Sequence, residues 1–331
     1  MRYSVFSVQD HYPTRERTVA EMYAQLAAMA EGAERLGYDA LFVAEHHFHE
    51  YGVVPNPAVM LAALAQRTTR LRLGPAIATL SYHSPLIIAE NYAMVDVLSG
   101  GRLLLGTGSG YLKHEFAGFG VPIAEKRQRF DETLMLVTRL LAGERVTHDG
   151  TYHRLADVAL NVRPVQRPTP PIFVAALARE AAYYIGRQGH RLMAIPYASL
   201  GSFAEIGTVE QEYRRGLAEG GHAGAEDDAI YTLHTHVAAS DEQARRQAAA
   251  AFELYVETRL YARRQNYDDV LASGLGLFGS VETVAAKLNE LVRMGVKHVA
   301  LLADFGALPQ AQVMHCLRLF AEEVMPRVRQ S

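Results

Sequence analysis

Eight short apolar runs recur along this chain, and the segments between them carry helical spacing. The runs occupy residues 4–8, 40–43, 71–78, 103–107, 172–175, 192–195, 230–237 and 298–302. Rich in Val, Leu, Ile and Phe and mostly without polar alternation, they have the pattern of strands buried on both faces. Between them, apolar residues stand three and four apart, as in Met22, Leu26, Met29, Ala33 and Leu36, or Phe130, Leu134, Val137 and Leu141. Val313, Leu317, Phe320 and Val324 repeat this near the end. Such stripes belong to helices covering a sheet. The alternation predicts an α/β fold, a (β/α)8 TIM barrel with insertions; a doubly wound open sheet is the alternative. At about 150 residues per domain, a chain of 331 residues would hold two, yet no flexible linker interrupts the pattern. A single barrel domain over 1–331 is expected. Residues 147–165 have the look of an irregular or hairpin insertion. Residues 265–279 lack a clean period, and their Gly, Asn and Asp content suggests an excursion or lid.

In a parallel barrel, ligands bind beyond the carboxyl ends of the strands. The second run breaks there into Glu45-His46-His47-Phe48-His49-Glu50. Imidazoles titrate near neutrality and suit proton transfer; metal ligation and structural packing are their other uses. The carboxylate and imidazoles lie too close in sequence to form a recognised ligand spacing, so no metal is expected. If the strand continues regularly, Glu45 and His46 face opposite sides and do not both point inward. After the fourth run comes Gly106-Thr107-Gly108-Ser109-Gly110-Tyr111. Alternating glycines allow a backbone to approach a ligand closely. A dinucleotide fingerprint would need its next glycine at Tyr111 and an earlier place in the chain, which weighs against it.

Charge and cysteine content narrow the class. Thirty-three basic residues against 36 acidic ones give a formal charge of −3, and their dispersal leaves no nucleic-acid footprint. The one cysteine, Cys316, excludes an intrachain disulfide framework and fits a reducing compartment. The first run is followed by polar residues, without a signal peptide's apolar core or cleavage site. No uninterrupted apolar stretch reaches the roughly 20 residues of a membrane span. A cytoplasmic location is expected, with neither nucleic acid nor membrane as partner.

Several segments together resemble the bacterial luciferase-like, flavin-dependent monooxygenases. They are Glu45-His46-His47-Phe48 with Asn56-Pro57, Gly74 through His83-Ser84-Pro85, and Ser99-Gly100-Gly101-Arg102 with the glycine loop. Further ones are Lys113-His114-Glu115-Phe116 with Phe119-Gly120, and Ile172-Phe173-Val174-Ala175-Ala176. The last runs from Gly279-Ser280 through Gly295-Val296-Lys297-His298 to Phe305-Gly306 and Pro309. They follow the family's order over nearly the whole chain. The resemblance implies a barrel that binds reduced FMN supplied by a separate NAD(P)H-dependent flavin reductase. It implies reaction with molecular oxygen through a C4a-(hydro)peroxyflavin to oxygenate a small organic substrate. It also implies a homodimer or a dimer of related subunits, for which residues 58–66 and 87–98 are candidate contacts.

Residue by residue, the resemblance places His46 at the reactive edge of the flavin as the catalytic imidazole, with Glu45 orienting an imidazole or touching substrate. A non-prolyl cis peptide beneath the ring is expected at Ala76-Ile77. Gly108, Ser109 and Gly110 would approach the flavin side chain and phosphate, and Arg127 matches a phosphate-side arginine. Two departures stand out. Ser109 replaces an arginine of the family's well-known member, and Ala176, Leu177 and Arg179 replace a small hydroxyl-bearing segment. There the backbone N–H groups of a helix start and the Arg179 charge are what remains for a phosphate. Tyr12, Tyr82, Tyr111 and the 265–279 excursion are candidates for substrate specificity, and His83 for shaping the pocket. A deazaflavin-dependent dehydrogenase and a noncatalytic flavin-binding or partner subunit are the rival functions.

Overall fold

The computed structural model describes residues 1–176, 179–222, 229–258 and 265–329. Its strands are β1 (Arg2–Ser7), β2 (Ala40–Val43), β3 (Arg72–Pro75), β4 (Ala78–Thr79), β5 (Leu105–Gly108), β6 (Val146–Asp149), β7 (Arg154–Val158), β8 (Ile172–Ala176), β9 (Arg191–Ala194), β10 (Ala229–Val237), β11 (Gly276–Gly279) and β12 (His298–Asp304). The α-helices are α1 (Val19–Arg35), α2 (Pro57–Ala65), α3 (Pro85–Leu98), α4 (Lys113–Gly118), α5 (Lys126–Leu141), α6 (Arg179–Arg187), α7 (Pro196–Ser199), α8 (Glu205–Glu219), α9 (Asp241–Thr258), α10 (Tyr267–Ser273), α11 (Val281–Arg293) and α12 (Gln310–Leu319).

The main sheet runs β3-β2-β1-β12-β10-β9-β8-β5-β4, every ladder parallel. The two ends of that path, β3 and β4, follow one another in the chain, so the sheet curls into a nearly closed barrel. A bridge between Leu73 and Leu103 joins the rims. Counted as strands the ring has nine members, but β3 and β4 are halves of one sequence run, so eight barrel positions remain. The expected barrel is thus present and the open sheet is not.

Local chemistry explains the elements. Every residue of β10 is buried, as a strand covered on both faces requires. Thr18 and Glu21 close a reciprocal capping box at the start of α1, and Asn56 caps α2 with Pro57 at its first turn. The Asn56-Pro57 segment is therefore a helix start. Arg102 lies at a second junction. Its guanidinium donates to the carbonyls of Ser99, Leu71, Ala65 and Thr68 and to the Thr68 hydroxyl, over 2.6–3.0 Å. Buried Asp96 accepts from the backbone N–H groups of Val165 and Gln166, fastening the return of the insertion to α3.

Three stretches differ in detail from expectation. The third run is interrupted, because the Ala76-Ile77 peptide is cis as expected and separates β3 from β4. Within 147–165 lies an antiparallel hairpin, β6 with β7. Residues 265–279 contain α10, capped by Asn266, and β11, which pairs with the far half of β10. The sequence hid this because β11 is only Gly276–Gly279, with too few apolar residues to show a period. Among the described residues no helix is long and apolar enough to cross a membrane.

Candidate active site

A cavity of about 280 Å³ opens at the carboxyl ends of the barrel strands. Its wall includes Ala44, Glu45 and His46 after β2, Ala76 and Ile77 at the cis peptide, and Gly108–Tyr111 after β5. Ala175 and Ala176 on β8 continue it. β2 ends at Val43, so the strand rule no longer governs the next residues. Glu45 and His46 both line the cavity, contrary to the alternation expected of a continuing strand.

Each acid holds an imidazole. His46 Nδ1 lies 3.1 Å from Glu115 Oε1, and the same oxygen accepts the His47 backbone N–H at 2.9 Å. Tyr82 donates its phenol to Glu115 Oε2 at 2.8 Å. Burial raises the Glu115 pKa, but the His46, His47 and Tyr82 hydrogen bonds outweigh it and the net shift is downward. Burial, then the Glu115 charge, pushes the Tyr82 phenol up, so it stays a donor. An ionised Glu115 places the proton of neutral His46 on Nδ1 and leaves Nε2 as the basic nitrogen.

Glu45 repeats the arrangement with other partners. Its Oε1 lies 3.2 Å from His47 Nε2, 3.3 Å from His83 Nε2 and 3.3 Å from the Thr79 backbone nitrogen. Burial opposes ionisation, yet the His47 and His83 hydrogen bonds bring the net pKa down. The ligand atoms of Glu45, His47 and His83 all lie within 4.8 Å of one another, close enough to hold a metal ion. The sequence expectation of no metal considered only the local cluster, and His83 joins it from another loop.

Glycines set the depth of the opposite wall. A Cβ on Gly108 would fall 2.5 Å from Ile77 Cδ1, so a side chain there would push the end of Ile77 aside and fill part of the cavity. Gly110 has φ +71°, which side chains disfavour. Ser81 Oγ stands 2.9 Å from the carbonyls of both Ser109 and Lys126, tying this loop to the start of α5. Lys126 and Arg127 there form the cationic edge of the cavity. Arg127 Nε also lies 2.9 Å from Asp131 on the same helix and is more than half exposed.

Not every expected residue reaches this space. Arg179 lines a separate small cleft with Ala176, Ala194 and Tyr231, and Leu177 lies outside the described residues. Tyr111 lines the cavity, whereas Tyr12 bonds Asp10 at 2.6 Å away from it. No residue of 265–279 lines the cavity, though Gln265 donates to the carbonyl of lining residue Tyr197 at 3.1 Å. Sequence reasoning assigned no role to Glu115, Lys126, Thr79 or His234. Glu115 lies in the Lys113-His114-Glu115-Phe116 segment that carries the family resemblance, but nothing in that segment pairs it with His46.

Paired acids and imidazoles facing a cavity at the carboxyl ends of parallel strands define an α/β-barrel enzyme. The comparison with known proteins narrows the class. A family model described as luciferase-like monooxygenase matches residues 1–298, and this chain belongs to that family. Monooxygenase RslO1 from Streptomyces bottropensis is 31% identical, with 98% of this chain and 99% of that one covered at a TM-score of 0.92. The oxygenating constituent of 3,6-diketocamphane monooxygenase from Pseudomonas putida, solved with FMN, shares the fold at 20% identity, 100% and 99% coverage and TM-score 0.83. An F420-dependent secondary alcohol dehydrogenase shares it at 18% identity, 99% coverage of both chains and TM-score 0.75. The fold is thus shared by a monooxygenase solved with FMN and by an F420-dependent dehydrogenase.

Proposed function

We propose that this chain is the oxygenase component of a two-component monooxygenase, using reduced FMN and molecular oxygen to oxygenate a small organic substrate. The observation that carries this is the His46–Glu115 pair, a buried imidazole anchored by an ionised carboxylate on an apolar cavity with a cationic edge. The residues fit the cofactor. Gly108 and Gly110 clear space for a flat ring, while Lys126, Arg127 and the backbone of the Ser109 loop suit a phosphate. Reduced FMN, when bound, supplies the two electrons that oxygen transfer consumes. His46 receives or delivers a proton at Nε2 while Nδ1 stays on Glu115. Ile77, Ala175, Met193 and Leu302 keep water from the reacting region. Delivery of reduced flavin by a separate NAD(P)H-dependent reductase follows from the family resemblance. Hydroxylation, Baeyer–Villiger insertion and aldehyde oxidation all draw on these same groups.

The test begins with anaerobic titration of the purified protein with reduced FMN and, separately, with a reduced deazaflavin. The FMN complex is then mixed with oxygen and candidate substrates. Tight FMN binding and incorporation of labelled oxygen into product would support the proposal. Preference for deazaflavin with oxygen-independent substrate oxidation would replace it with the dehydrogenase. FMN binding without turnover, together with capture of a related chain, would favour the noncatalytic subunit.

A further inference from the structure

The cavity wall divides by chemistry into two arcs. From β2 through β4 and β5 to β8 it carries the ionised groups and proposed cofactor contacts. The arc formed by β9, β10, β12 and β1 contributes Met193, Thr232, His234, Leu302 and Phe6, and its described cavity-lining residues include no carboxylate, ammonium or guanidinium. Thr232 and His234 are two positions apart on one strand and so share a face.

His234 is 1% exposed and lies edge-on to Tyr197, Tyr255 and Phe252, with ring centroids 4.9, 5.0 and 5.1 Å away. Its Nε2 has no hydrogen-bond partner among the described residues. Burial pushes its pKa down to about 3, so the ring is neutral at physiological pH. Buried polar atoms in folded proteins are nearly always paired, and an exception in the wall of a binding cavity points to a partner that arrives with the ligand.

We propose that His234 is the polar anchor of a substrate subsite on this arc, taking an uncharged, largely apolar molecule through one carbonyl or hydroxyl oxygen. Calling the ligand a substrate rests on the function proposed above; the binding chemistry does not. A neutral imidazole donates to a carbonyl or accepts from a hydroxyl according to its tautomer. A carboxylate or ammonium ligand would enter this arc without an opposite charge to offset its desolvation. Because His234 stays neutral, selection for the oxygen is independent of pH across the physiological range.

The experiment measures calorimetric binding of 1-indanone, 1-indanol, indane and indane-1-carboxylate to the purified full chain. The ketone and alcohol are expected to bind about tenfold tighter than indane or the carboxylate, equally at about pH 6 and pH 9. His234→Phe keeps ring bulk and removes the nitrogens. It should erase the preference for the oxygenated ligands while leaving indane binding and reduced-FMN affinity unchanged. Equal binding of indane and 1-indanone by the wild type, a preference surviving in His234→Phe, or no binding across the series would overturn the proposal. Should that variant fail to fold, the wild-type His234 Nε2 ¹⁵N chemical shift decides. A shift with 1-indanone but not indane supports the anchor, and no shift removes it. Loss of the monooxygenase reading, seen as no oxygen-dependent turnover with this preference intact, would leave the subsite standing.

Discussion

Glu115 joins the site across three parts of the chain, holding the His46 ring, the His47 backbone and the Tyr82 phenol. Replacing it with glutamine keeps the size but removes the charge that fixes the Nδ1 proton. Glu115→Gln is expected to lower kcat for oxygenation roughly 100-fold with little change in substrate KM or FMN affinity. A change confined to KM would show that Glu115 only shapes the pocket. Asp304 offers a test of pH dependence. Burial and then the Asp10 charge raise its pKa to about 6, while Ser7 and Gln9 donate to it at 3.0 and 3.1 Å. An unfolded aspartate titrates near 3.9, so between these values the folded state holds more protons than the unfolded one. Stability therefore falls as pH rises from about 4 to about 6 and stays lowered above that. Asp304→Asn keeps an acceptor oxygen and is expected to exceed wild type at about pH 8 by on the order of 3 kcal/mol, the gap closing near pH 4. Urea unfolding at both pH values measures it, and a variant weaker than wild type at the higher pH would dismiss a buried-charge cost. His46 was legible in the sequence because acid and imidazole follow an apolar strand directly. Glu115, 69 positions away, was not, since one acid on a short helix carries no signal of its distant partner.

At the scale of elements, the eight runs survive as barrel positions because burial on both faces leaves an unbroken apolar record in sequence. What sequence blurred were the shortest elements, of two and four residues. β4 has only Ala78 and Thr79, and β11 is Gly276–Gly279. Their strand character comes from neighbours in the sheet, not from their own propensity. The Ser99-Gly100-Gly101-Arg102 segment gains a structural role from contacts that sequence could not display. Arg102 bonds four backbone carbonyls between α2 and β5, so its removal takes a donor from each of them. Arg102→Ala is expected to destabilise the fold by about 2–4 kcal/mol, read from the urea midpoint at constant slope. A loss below about 0.5 kcal/mol would show that water replaces the guanidinium.

For the whole molecule, the apolar residues not used to cover the barrel bear on association. α2 and α3 pack side by side, yet Val59 is 67% exposed, Ile87 54%, Met94 51% and Leu98 46%. Ile87, Met94 and Leu98 stand seven and four residues apart and fall on one helix stripe. Scattered exposed apolar side chains are ordinary, but a stripe along one helix, with a further exposed apolar residue on its neighbour, is the kind of surface that associates. A second copy meeting it about a twofold axis would bury each stripe against its equivalent, which supports the dimer proposed from the family resemblance. Met94→Glu introduces a carboxylate within that stripe, and two copies would bring like charges together. The wild type is expected to sediment as a dimer at about 20 µM and Met94→Glu as a monomer with unchanged circular dichroism. A monomeric wild type, or a variant that remains dimeric, would place association elsewhere or nowhere. The groups that line the cavity come from one barrel, so a folded monomeric variant would also show whether the proposed oxygenation requires the second copy.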